Sequence, residues 1–160
     1  MTLHAQQEFS IPQETARVAR AVYPHGNVYR KMRDALGTMY QDESFAHLFP
    51  QNGRPVEAPW RLAFITVVQF IEELPDRQAA DAVRGRIDLK YALGLDLSDP
   101  GFDFTLLSDF RSRLVQGKAE QVLLDAMLDL FKERGWLKQR QQQRSDSTHI
   151  HSLRYVLAID

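Results

Sequence analysis

At 160 residues, with 44% hydrophobic and 26% charged side chains, the chain has the size of one domain, or of one domain and the start of a second, and enough apolar material for a core. No stretch approaches the roughly 18 uninterrupted apolar residues of a membrane span. Met1 to Ser10 lack the basic and apolar regions of a secretion signal. Cysteine is absent, which excludes disulfides and thiolate chemistry and is compatible with a reducing cytoplasm.

The net charge of −1 says little about partners, but its distribution says more. Between Thr15 and Arg33 stand Arg17, Arg20, Arg30, Lys31 and Arg33, with no acidic residue. Between Lys132 and Arg144 stand Lys132, Arg134, Lys138, Arg140 and Arg144 against Glu133 alone. Two such blocks suit a phosphate backbone; they equally suit solvated helix faces.

Proline and glycine divide the chain into helices. The first is expected from about Pro12 to Val22, before Pro24 and Gly26. The second runs from about Asn27 to Leu36, with Val28, Met32, Ala35 and Leu36 at helical spacing and Gly37 as its stop. A turn of helix around Glu43 to Leu48 and a loop over Gln51 to Ala58 follow. Pro59 sits where a first-turn proline belongs, and Trp60 to Leu74 is apolar almost all round, so this helix should be central and covered on several sides. Pro75 ends it and opens the next, with Asp76 in a first turn that favours negative charge. That helix stops near Gly85, and a short one from Arg86 to Leu93 stops at Gly94. Ser98 to Gly101 is a loop, and Thr105 is the expected N-cap of a helix over Leu106 to Gln116. The last helix, Lys118 to Arg134, ends at Gly135. Ser145 to Ser152 alternates with a period of two, as a short strand does.

The segment Phe70 to Leu95 has helix-turn-helix character: a packed helix, a tight break at Leu74–Pro75, then short helices expected to carry Arg77, Arg84, Arg86 and Lys90 outward. Arg77 and Gln78 stand near a helix start, where side chains reach base edges. Any helical bundle with a short turn gives the same pattern. Asp146, on the strand beside hydroxyl residues, suits a hard divalent cation, or simply a turn or cap. His149 and His151 share a strand face, but two ligands are too few for a closed zinc site. No nucleotide-binding glycine loop or nucleophile elbow is present.

Three segments taken in order, Leu74 to Arg84 (LPDRQAADAVR), Ile87 to Leu95 (IDLKYALGL) and Phe104 to Leu114 (FTLLSDFRSRL), resemble the N-terminal domain of bacterial insertion-sequence transposases of the InsH type. The resemblance covers roughly residues 30–135. Ser145 to Ile150 (SDSTHI) is similar to the element that follows in that family, where the aspartate is the first of a DDE triad on the first strand of a ribonuclease-H-like fold. Pro75 stands where the family usually has a helix-capping serine, and the run after Ile150 departs from its pattern.

The resemblance implies a mainly α chain: a helical bundle with a helix-turn-helix-like core over residues 1–135, a basic linker at 136–144, and at 145–160 the first strand of a truncated catalytic domain. It implies that Asp146 is catalytic and a magnesium ligand in the intact family enzyme. With the second Asp and the Glu missing, this chain is expected to be inactive alone and to hold no cofactor tightly. The expected partners are double-stranded DNA at transposon ends and a second copy or an intact transposase, with no membrane, in a cytoplasmic, nucleoid-associated setting. The expected DNA contacts are Arg77, Arg84, Arg86, Lys90, Arg111 and Arg113, of which about half are expected to be taken by ion pairs with acids such as Asp76, Asp81, Asp88 and Asp109. A dimerisation module or a regulatory remnant without DNA binding are the competing readings.

Overall fold

The apolar segment after Pro59 becomes the helix on which the others are laid. A computed structural model describes residues 10–40, 59–117, 119–139 and 155–157. Among the described residues the helices are α1 (Gln13–Val22), α2 (Val28–Tyr40), α3 (Pro59–Glu72), α4 (Asp76–Gly85), α5 (Ile87–Leu93), α6 (Phe104–Val115) and α7 (Ala119–Glu133). Two short strands, β1 (Leu137–Gln139) and β2 (Tyr155–Leu157), pair antiparallel, with Lys138 opposite Val156.

From Leu62 to Val68 every residue of α3 is buried, so α3 needs neighbours on several sides. It packs against α4, α6 and α7. Met32 and Leu36 of α2, Val83 of α4, Leu89 and Leu93 of α5, Leu107 and Phe110 of α6, and Leu124, Met127 and Phe131 of α7 meet it in one core. Phe64 sits at its centre, edge-on to Tyr29 at 6.3 Å and to Phe131 at 6.1 Å, the geometry favoured by the ring quadrupoles. A second, small cluster holds α1 on α5 through Ala16, Ala19 and Tyr91. There the buried Thr15 hydroxyl donates to the Leu95 carbonyl at 2.7 Å, satisfying an acceptor just past the end of α5.

Helix ends follow local chemistry. At Gly94 (φ 67°) the chain turns left-handed, the Gly94 N–H bonding the Tyr91 carbonyl and the Leu95 N–H that of Lys90. The same closure recurs at Gly135. At the end of α3 the left-handed position is taken by Glu73 (φ 56°), so the helix stops two residues before the expected Leu74.

Other boundaries depart from expectation for identifiable reasons. Gly37 does not stop α2, which continues to Tyr40; a Cβ at Gly37 would stand 3.2 Å from the Arg33 guanidinium, so the missing side chain leaves room for that group. Thr105 is not the N-cap of α6. Asp103 is: its carboxylate accepts from the Thr105 N–H at 2.8 Å, which starts the helix two residues earlier than expected. Leu137 to Gln139, expected within a linker, form β1, and Leu137 is buried in the main core. The expected turn of helix at Glu43 to Leu48, the loop at Gln51 to Ala58 and the strand at Ser145 to Ser152 lie outside the described residues. No helix among the described residues is long and apolar enough to cross a membrane.

Candidate nucleic-acid interface

Helix α4 packs against α6, and this pair carries most of the cations singled out from the sequence. Arg77 and Gln78 are exposed in the first turns of α4. The Arg77 guanidinium lies 4.2 Å from the centroid of the Phe104 ring, at the start of α6, which orients it without neutralising it. Arg84, exposed at the other end of α4, reaches the Pro100 carbonyl at 3.4 Å. Arg113 on α6 is exposed and stands 3.6 Å from Glu120, a loose surface pair. Exposed Asp81, Asp103 and Asp109 lie on the same two helices or at their start, so this surface is mixed in sign.

The other three candidates point elsewhere. Arg86 is a structural bridge between helices: it meets Asp88 through two bonds of 3.1 and 2.8 Å and Glu72 through one of 2.7 Å. The Tyr29 hydroxyl donates to the other Glu72 oxygen at 2.6 Å, and Arg86 lies 5.8 Å from the Tyr29 ring centroid. The hydrogen bonds to Asp88, ahead of opposing desolvation, raise the Arg86 pKa. Burial pushes the Glu72 carboxyl up, but the bonds from Arg86 and Tyr29 together outweigh it and hold the group below the usual carboxylate range. Burial and the bond to Glu72 push the Tyr29 phenol well up.

Arg111 clasps Asp76 through paired contacts of 2.5 and 2.6 Å, fixing the start of α4 against α6. Gln69 on α3 donates to the same carboxylate at 2.8 Å, so three helices meet at Asp76. The Arg111 bond holds its pKa down.

Lys90 corrects the expectation of an outward side chain. It is only 2% exposed, and its ammonium donates to the Asp99 carbonyl. Burial lowers its pKa. The cause is that every residue from Asp88 to Leu93 in the short α5 is buried, covered by α1, α2 and α4, which leaves no open face on which a lysine could stand.

Sequence reasoning missed a further cationic cluster. Arg33 and Arg61 both lie 5.4 Å from the centroid of buried Trp60. Burial pushes the Arg33 guanidinium down to about 10. Arg61 also donates to the Leu93 carbonyl at 2.8 Å, capping the negative end of α5. The helical spacing of Arg33 with Met32 and Leu36 placed it near the core, but a charge on that side reads as solvated until its aromatic partner is known.

Asp146, His149 and His151 lie outside the described residues. Among the described residues no group of three or more His, Cys, Asp or Glu side chains is placed to hold a metal ion. A family model described as Transposase domain (DUF772) matches residues 17–113. That span runs from within α1 through all of α4 and along α6 as far as Arg113. No curated protein and no solved structure matches the chain.

Proposed function

Because the chain belongs to the DUF772 transposase-domain family, we propose that its helices are a DNA-binding and assembly module that grips double-stranded DNA at transposon ends. The observation that supports this best is the arrangement on the α4–α6 pair, where Arg77, Arg84 and Arg113 stay exposed. Arg111, by contrast, is spent on Asp76 and locks the two helices together. On this reading α3, the break at Leu74–Pro75 and α4 make a helix-turn-helix-like unit of the InsH type. Arg77 and Gln78, at the start of α4, are the base-reaching side chains, and Arg84 and Arg113 hold phosphates.

Asp146 takes a different role in this proposal. It would serve as a metal ligand only in the intact family enzyme, since a single carboxylate does not make a two-metal site for phosphodiester chemistry. It takes no part in gripping the duplex, so Asp146→Ala leaves DNA binding unchanged.

Gel-shift titration of the whole chain tests the reading, with duplexes taken from the DNA flanking its gene. Affinity should fall linearly on logarithmic axes as salt rises, and Arg77→Ala should weaken the flanking duplex more than an unrelated one. An absent shift at about 50 mM salt would remove the DNA reading. A second reading, self-association alone, is favoured by Val115 and Val122, 71% and 51% exposed on either side of the α6–α7 turn. A sedimenting dimer that Val115→Ser with Val122→Ser returns to monomer, with no gel shift, would establish that reading instead.

A further inference from the structure

We infer that the corner between α1 and α2 is a second phosphate-gripping surface, built on Arg20 and Lys31 and indifferent to base sequence. The inference rests on the reading of the chain as a DNA-binding module. It begins from the run Thr15 to Arg33, which carries five cations and no acid. The fold sorts those cations. Arg33 is turned in against Trp60, and Arg30 lies 5.1 Å from the Tyr91 ring centroid while donating to the Tyr23 carbonyl at 2.9 Å. Arg17 is exposed but pairs with Glu14, one turn earlier. Arg20 and Lys31 are exposed, and among the described residues neither has an ion-pair partner.

The corner that presents them is fixed. The Asn27 side chain accepts from the Tyr29 N–H at 2.8 Å, which caps α2. The Gly26 N–H bonds the Tyr23 carbonyl, and Gly26 turns the chain at φ 90°. A Cβ at Gly26 would stand 3.6 Å from Cε of Lys31, so the lysine stem lies along this turn. Arg20 stands less than one helical turn before Tyr23, whose carbonyl Arg30 engages. His25 is exposed between them. Arg20 and Lys31 are exposed cations before and after this fixed turn, and the exposed acids nearest to them in sequence are Glu14, which pairs with Arg17, and Asp34, which accepts from the Tyr91 hydroxyl at 3.1 Å, an arrangement that fits a polyanion. No exposed amide lies there to read a base edge, which points to phosphate rather than base.

The test is fluorescence anisotropy of the whole chain on a labelled duplex of random sequence, about 25 base pairs long, between about 50 and 300 mM KCl. Arg20→Ala with Lys31→Ala should reduce the slope of log affinity against log salt by about 1.8, at about 0.9 per phosphate contact, and by the same amount on a flanking duplex. Arg20→Lys with Lys31→Arg, which keeps both charges, should retain the parent slope. Should circular dichroism show the alanine pair unfolded, Arg20→Gln with Lys31→Gln carries the same prediction. An unchanged slope in a folded neutral variant, with the parent chain binding and Arg77→Ala weakened, overturns the corner alone. A parent chain that binds neither duplex overturns the corner and the DNA reading together.

Discussion

Replacing Arg86 by alanine separates a structural cation from a DNA-binding one. The side chain is 36% exposed, but the Asp88 carboxylate it holds is 3% exposed and retains only the Leu89 N–H, at 2.9 Å, once the guanidinium is gone. Breaking a buried ion pair from one side costs about 3–5 kcal/mol because a charge is left unpaired in a poor solvent. A surface pair is worth about 0.2–1 kcal/mol. Asp88 belongs to the first case and the half-open Arg86–Glu72 contact to the second. Water can follow the vacated side chain, so Arg86→Ala should cost about 2–3 kcal/mol. At roughly 2–4 °C per kcal/mol for a chain of this length, the melting temperature should fall by about 5–10 °C. Urea unfolding followed by tryptophan fluorescence measures it directly.

Two controls sharpen the result. Adding Asp88→Asn removes the stranded charge and should restore about 1 kcal/mol. The pH profile has a definite sign. Glu72 is held below the usual range in the fold, so its contribution is complete above its unfolded value of about 4.3 and is lost as pH falls through the lower folded value. The gap between parent and variant should therefore be widest near neutrality and narrow below about pH 4. If Arg86→Ala instead costs under about 0.5 kcal/mol and lowers the salt slope of DNA binding by about 0.9, then Arg86 holds a phosphate and the structural assignment is wrong.

Three further outcomes follow from the same geometry. A double-mutant cycle on Arg111→Ala and Asp76→Ala should return a coupling of about 1–2 kcal/mol at pH 7, since the pair is bidentate and only partly exposed. Because the Asp76 pKa is depressed in the fold, that coupling should be complete above about pH 3.9 and shrink as pH falls further; a pH-independent value would count against it. Lys90→Met, which removes a buried charge at similar volume, should leave urea stability unchanged or raise it by about 1 kcal/mol, with DNA affinity untouched. Since burial lowers the Lys90 pKa, the charge penalty eases as pH rises toward about 10.4, and the advantage of methionine should shrink with it. Gly101→Ala should lower stability by about 1–2 kcal/mol in a thermal melt, because φ is 82° and the new Cβ would meet Val83 Cγ1 at 3.0 Å; an unchanged melt would mean that the loop has another conformation.

Helix positions were legible where local chemistry decides them. Pro59 opens α3, and Gly94 and Gly135 close α5 and α7, because each supplies a backbone geometry that other residues adopt poorly. The covering of α3 was legible too, since an apolar helix has no other stable placement. Ion-pair partners were not. Arg86 and Arg111 each find acids 14 and 35 residues earlier, and a charge pattern along one helix says which face is polar but not what faces it. Lys90 was misplaced for the converse reason: α1 covers α5 with little more than Ala16 and Ala19, an apolar signal too small to announce that an entire neighbouring helix would be buried.

This division bears on where function can sit. Within Ile87 to Leu95, one of the segments that carry the family resemblance, Lys90 to Gly94 consist of four buried side chains and a left-handed cap. In the Phe110–Leu114 element, Phe110 and Leu114 are in the core and Arg111 locks α4. These side chains serve the packing of the helices, so they mark the architecture rather than a binding surface. The exposed cations, Arg77, Arg84 and Arg113 on one surface and Arg20 and Lys31 at the corner, carry no comparable packing duty. They can be exchanged at small cost to stability. On the proposed reading, relatives that meet other DNA ends would vary at these surface positions and hold Asp76, Arg86, Asp88 and Arg111, whose ion pairs join the helices, in place.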